Sequence, residues 1–126
     1  MFANAEVISS YSRAQAIDDG VLVDLSAAAP DVCRQHYKFA IACTAAAWAI
    51  IDHAVKNKRH CNDINGVVHD LLFMSRHCFC ELDQHSREFS VIIKGAGRKS
   101  RFTFKLVCGP GDDAEPVLTL MLPDED

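Results

Sequence analysis

The stretch from Phe102 to Asp126, FTFKLVCGPGDDAEPVLTLMLPDED, limits the possible folds more than any other part of this chain. Two apolar runs that alternate with period two flank a turn rich in Gly, Pro and Asp. Because alternate residues of a strand face opposite ways, this pattern predicts a hairpin with one buried face. Phe102, Phe104, Leu106 and Cys108 share that face on the first strand, and Leu118, Leu120 and Leu122 share it on the second. Upstream, Phe89, Val91 and Ile93 mark a further strand, joined to the hairpin by the loop from Lys94 to Ser100. Thr103, Lys105 and Thr119 fall on the other face, so the expected sheet is antiparallel and half solvated.

The first two thirds of the chain read mainly as helix. Ser12-Arg13-Ala14-Gln15 matches a capping box, in which the serine oxygen and the glutamine side chain each satisfy a free backbone N–H. A short helix is predicted from Arg13 to Asp19, stopped by Gly20 and followed by a strand from Val21 to Leu25. Pro30 suits the first turn of a second short helix reaching His36. The run from Ala40 to Val55, AIACTAAAWAIIDHAV, is apolar nearly all round and predicts a central helix with Trp48 as a core anchor. Asn62 or Asp63 can cap another helix, whose stripe of Ile64, Val67, Val68, Leu71, Leu72, Ser75, Cys78, Phe79 and Leu82 keeps the i, i+3, i+4 rhythm. These elements predict an α+β fold: a three- or four-stranded, mainly antiparallel sheet with a C-terminal β-meander and helices packed on one face.

With 126 residues, 49% hydrophobic and 24% charged, and no low-complexity stretch or repeat, the expectation is one domain over residues 1–126. A net charge of −4 and a pI near 5.8 argue against general binding of nucleic acid, which needs a basic excess. The N-terminus lacks a basic region followed by an apolar core, and the longest apolar stretch, Phe39 to Ile51, is too short to span a bilayer. A cytoplasmic protein with no membrane association is therefore expected. In that compartment the six cysteines are read as free thiols, several of them small buried hydrophobes.

Three segments, YSRAQAIDDGVLVDLS (Tyr11 to Ser26), ACTAAAW (Ala42 to Trp48) and KLVCGPGDDAEPVLTLMLPDED (Lys105 to Asp126), resemble an uncharacterised family catalogued as a domain of unknown function. The family occurs in bacterial chromosomes, phages and conjugative elements, and the similarity runs in order along almost the whole chain. Relatives often carry proline where Ala40 stands and often lack the cysteine and histidine cluster of residues 60 to 85. The resemblance implies a small accessory protein carried by mobile DNA, a setting rich in inhibitors of host defence such as anti-CRISPR proteins. It brings no catalytic residues and no cofactor with it.

The candidate sites are few. His77, Cys78, Cys80 and His85, with His60, Cys61 and His69 upstream, form the one metal set in the sequence. Its close pair is C-x-C, whereas structural zinc sites use C-x2-4-C pairs, and two residues apart on a helix point about 200° from each other. No local signature pairs a cysteine with a histidine base, so no residue is assigned a catalytic role. The turn Asp112-Asp113-Ala114-Glu115 lacks the alternating ligands of a calcium loop, and GAGR at Gly95 to Arg98 precedes a strand where a phosphate loop would precede a helix. Lys94, Arg98, Lys99 and Arg101 make a basic cluster in an acidic chain, without interleaved aromatics to stack bases. A protein partner that contacts this loop, or the acidic turn of Asp112, Asp113 and Glu115, is the favoured reading. A small regulator or nucleic-acid-associated factor using the basic hairpin stands second, and a zinc or thiol enzyme third.

Overall fold

The computed structural model describes residues 12–60 and 62–125. Its first helix, α1 (Arg13–Asp18), is closed by the expected capping box: Gln15 N–H donates to Ser12 Oγ, and Ser12 N–H donates to Gln15 Oε1, each at 3.0 Å. After β1 (Leu22–Asp24), Asp24 caps the short α2 (Leu25–Ala28), and Pro30 opens α3 (Pro30–His36). Next come β2 (Ala40–Thr44), α4 (Ala45–Lys56) with Thr44 as its cap, and α5 (Ile64–His77) capped by Asp63. Four strands complete the chain: β3 (Phe79–Glu81), β4 (Ser86–Ile92), β5 (Arg101–Pro110) and β6 (Pro116–Met121).

The six strands form a single sheet in the order β1-β2-β6-β5-β4-β3. All neighbours are antiparallel except β2 and β6, which run parallel. The expected hairpin is present as β5 and β6, in a register that sets Leu106 opposite Leu120 and Cys108 opposite Leu118. The meander β4-β5-β6 is likewise in place, so the mainly antiparallel α+β architecture holds, but with six strands where three or four were expected.

The additional strands explain the other departures from the sequence reading. The run from Ala40 to Thr44 is the strand β2, between β1 and β6, and the helix after it begins only at Ala45. Ile41, Ala42 and Cys43 are all buried, so both faces of β2 are covered and the strand shows no alternation. Helix α5 ends at His77; Cys78 caps it and is exposed, and Phe79 and Leu82, expected on the apolar stripe, are 38% and 49% exposed beyond it. At the start of the chain, Leu25 begins a helix and β1 is only three residues long.

The core fills the space between one sheet face and α2 to α5. Phe104, Leu120, Leu71, Leu72 and Ile51 are completely enclosed there, with the ring of Phe104 stacked 6.0 Å from that of Phe89. Trp48, expected as a core anchor, is only half-buried at the margin of this cluster. Helix α1 departs from the expectation of helices on one face: it lies on the opposite side, where Arg13 donates to Thr119 Oγ1 at 2.9 Å and to the Leu118 carbonyl at 2.6 Å. Ala42 and Val117, which point to that side, are buried.

Candidate functional site

The basic cluster sits where β4 turns into β5. Lys94, Arg98, Lys99 and Arg101 are all exposed, and Lys99 Nζ lies 5.2 Å from the ring centroid of Phe102. The loop is held against the α4–α5 connection: Asn62 Nδ2 donates to the Lys94 carbonyl, and Asn57 Nδ2 donates to that of Gly95. Gly95 is buried at φ 94°, and a Cβ there would meet His60 at 3.0 Å and Asn57 at 3.3 Å, so the position requires glycine. The start of the loop that carries the cations is therefore pinned to the α4–α5 connection.

Beside this loop the sheet has an open edge. β5 pairs with β4 from Ser86 to Ile92, but β3 covers only Arg87, Glu88 and Phe89 on the other side. Ser90, Val91 and Ile92 thus have no outer neighbour among the described strands. Next to them α5 presents Asp70, Phe73 and Met74, and with Arg101 these residues enclose a cavity of about 360 Å³. A second recess continues from it past Met74, Ser90 and Arg101 to His77, Cys78, Phe79 and Cys80. Of the five large hydrophobic residues that are exposed among the described residues, three lie along this groove: Phe73, Phe79 and Ile92. The Arg101 side chain, at the rim, has no ion-pair partner among the described residues.

Phe73 and Ile92 carry no role in the sequence reading, and Phe79 was expected on the buried stripe of α5. One signal was available at Phe73, an aromatic residue off the apolar stripe of its helix, where burial cannot account for it. Ile92 stands on the polar side of an alternating strand in the same way.

The acidic turn divides by role. Asp112 accepts from the N–H groups of Arg13 (2.7 Å) and Ala14 (3.1 Å), so its carboxylate fastens the first turn of α1. Glu115 closes its own turn by accepting from Asp113 N–H at 2.9 Å. Asp113 is exposed.

The cysteine and histidine candidates scatter. His77, Cys78 and Cys80 line the second recess, while His85 lies in the β3–β4 turn, its N–H bonded to Asp83 Oδ1. Cys61 lies outside the described residues. Among the described residues no group of three or more His, Cys, Asp or Glu converges as a metal site, and no thiol is hydrogen-bonded to a histidine ring. Burial pushes the thiol of Cys33 up to about 11 and that of Cys43 up to about 12, which leaves both protonated and poor nucleophiles.

A different histidine pair does meet. His36 Nε2 and His69 Nδ1 are 2.9 Å apart, and His36 Nδ1 is buried without a hydrogen-bond partner. Along α5 the rings of His69, Phe73 and His77 follow one another, with centroids 6.1 and 4.5 Å apart. Burial lowers the His36 pKa, and the neighbouring charges of His69, Arg76 and His77 lower it further.

No described helix is long and apolar enough to cross a membrane. Neither the curated proteins nor the solved structures contain a match to this chain. The sequence profile of one family covers residues 1–126, and the chain therefore belongs to that family, described as a family of unknown function (DUF6573).

Proposed function

We propose that this chain is a non-enzymatic protein-docking module whose contact surface is the open edge of β4 with the basic loop beside it. The carrying observation is the convergence of Phe73, Phe79 and Ile92 on one groove under Arg101, which has no ion-pair partner among the described residues. Exposed apolar side chains scattered singly need no explanation, but a contiguous set with a polar rim marks a contact surface. Charge at the rim steers encounter and apolar area holds the complex, so the two parts of this surface have complementary tasks. In the mobile-element setting that the sequence resemblance implies, the docked protein belongs to the host, and inhibition of a defence complex is the concrete form of this reading.

The test is capture from an extract of the native host by the tagged chain, compared with the variant Arg98→Glu, Lys99→Glu, Arg101→Glu. These side chains are exposed, so the variant keeps its melting temperature. It loses the captured protein, association slows more than dissociation, and added salt reproduces part of the effect because exposed charges are screened over about 10 Å at 0.1 M. Undiminished capture by the folded variant would remove the basic loop from the interface, and salt-sensitive retention of DNA would replace the protein partner by nucleic acid.

A further inference from the structure

We propose that the open edge of β4 takes up an extended segment of the partner protein as an added strand, and that this segment alternates apolar with acidic side chains. The proposal rests on the docking reading above and specifies its mode of recognition. Its starting point is the direction of the backbone groups. Ile93 N–H donates inward to the Ser100 carbonyl at 2.7 Å, and Leu82 N–H reaches the Ser86 carbonyl from the β3 side at 3.0 Å. Alternation along an antiparallel ladder then turns the N–H and C=O of Ile92, like those of Ser86, away from β5. At Ser86 that outer side is occupied by the β3 hairpin; at Ile92 no strand among the described residues covers it. An open run of backbone donors and acceptors is a template for one more strand.

The two faces of the sheet set the chemistry of the incoming segment. Side chains of an added strand project alternately to either face. On the helical face they enter the cavity walled by Asp70, Phe73 and Met74, where the carboxylate disfavours an acid and the apolar walls accept hydrophobic groups. On the other face they meet the strand position of Arg101, whose register partner is Ile92 and whose side chain also reaches the rim of the cavity. Lys94, Arg98 and Lys99 extend the positive charge from that point. A carboxylate on the alternate positions neutralises Arg101, and further acids at the end of the segment reach the loop.

A second copy of this chain fits the edge poorly. Pairing β4 with its own twofold mate is confined to Ser90–Ile92, because β3 already covers Arg87, Glu88 and Phe89 of each copy. Beyond those three residues the basic loop of one copy would run into β3 of the other. A single extended segment meets no such obstacle on the Ile92 side.

The test pans a random peptide library displayed on phage against the full chain. Enriched peptides alternate apolar residues with Asp or Glu. A synthetic consensus peptide binds at least about tenfold more weakly when its acids become Lys, when Arg101→Glu is introduced, or when Ile92→Pro removes the outward N–H. A peptide N-methylated at alternate residues also fails to bind the unaltered protein, which makes the result independent of how Ile92→Pro folds. Amide exchange at Ile92 slows in the complex. The proposal is overturned if no peptide is enriched, if the enriched peptides lack the alternation, or if N-methylation leaves binding unchanged. It is equally overturned if the free protein is a dimer that Ile92→Pro dissociates, since the edge then belongs to a second copy. Host-protein capture that depends on Arg98, Lys99 and Arg101 but survives Ile92→Pro would leave the docking reading standing without strand addition.

Discussion

Phe104 is fully enclosed beside Phe89, whereas Trp48 keeps part of its ring in water. Phe104→Ala therefore lowers stability by roughly 3–5 kcal/mol, from lost transfer energy and a cavity the neighbours cannot fill. Trp48→Ala costs about 1–2 kcal/mol, in proportion to the area it removes from water. Urea midpoints of the two variants check this; equal losses would show that Trp48 is as deeply packed as Phe104. His36 supplies a pH dependence. Its folded pKa lies below the ordinary 6.5, so within that window the unfolded chain binds a proton that the fold excludes. Stability from this group is complete above 6.5 and is lost as pH falls through the lowered value. The groups facing it are His69, Arg76 and His77 of α5, whose positive charge opposes a proton on His36. Comparing urea midpoints at about pH 5 and about pH 7.5, the fall on acidification is smaller in His36→Leu than in the parent chain; an equal fall would move the acid sensitivity elsewhere.

Helix α1 has only six residues, too few to persist without tertiary support. The capping box that made it legible in the sequence supplies two hydrogen bonds, and Asp112, distant along the chain, supplies two more. Asp112→Ala should cost about 1 kcal/mol, the usual worth of a cap together with a carboxylate at a helix N-terminus. Hydrogen exchange would show the loss concentrated in α1, while amides of β5 and β6 keep their protection; uniform loss would mean that α1 is integral to the global unfolding unit. Strand β2 shows why some elements were hidden. A strand covered on both faces has no polar side, so AIACT read as more of the alanine-rich helix that follows it. The end of α5 was misplaced for the opposite reason: Phe79 and Leu82 continue its helical rhythm by coincidence, although the chain has already turned into β3. β3 itself left no pattern, since all three of its residues are exposed.

The hairpin, the meander and the caps of α1 and α5 were legible because each depends on neighbours within a few residues. The order of the sheet was not, because β2 lies next to β6 across more than half the chain and no local signal records that pairing. The proposed docking groove was half legible: Arg101 and its loop stand out by charge, but the open edge exists only because the pairing of β3 with β4 ends at Phe79 and Phe89. Registers of this kind are tertiary facts, and the site they create becomes visible only in the folded chain. The position of β6 has a further consequence during synthesis. It is the last of the six strands to be made, yet it lies between β2 and β5 and joins the two parts of the sheet. Until it emerges from the ribosome, the nascent chain carries β1–β2 and β3–β4–β5 as separate fragments, with the inner edges of β2 and β5 both unprotected. Nascent chains halted before Pro116 are thus clients for chaperones or aggregation, and a premature stop codon there would remove the seam of the sheet along with its tail.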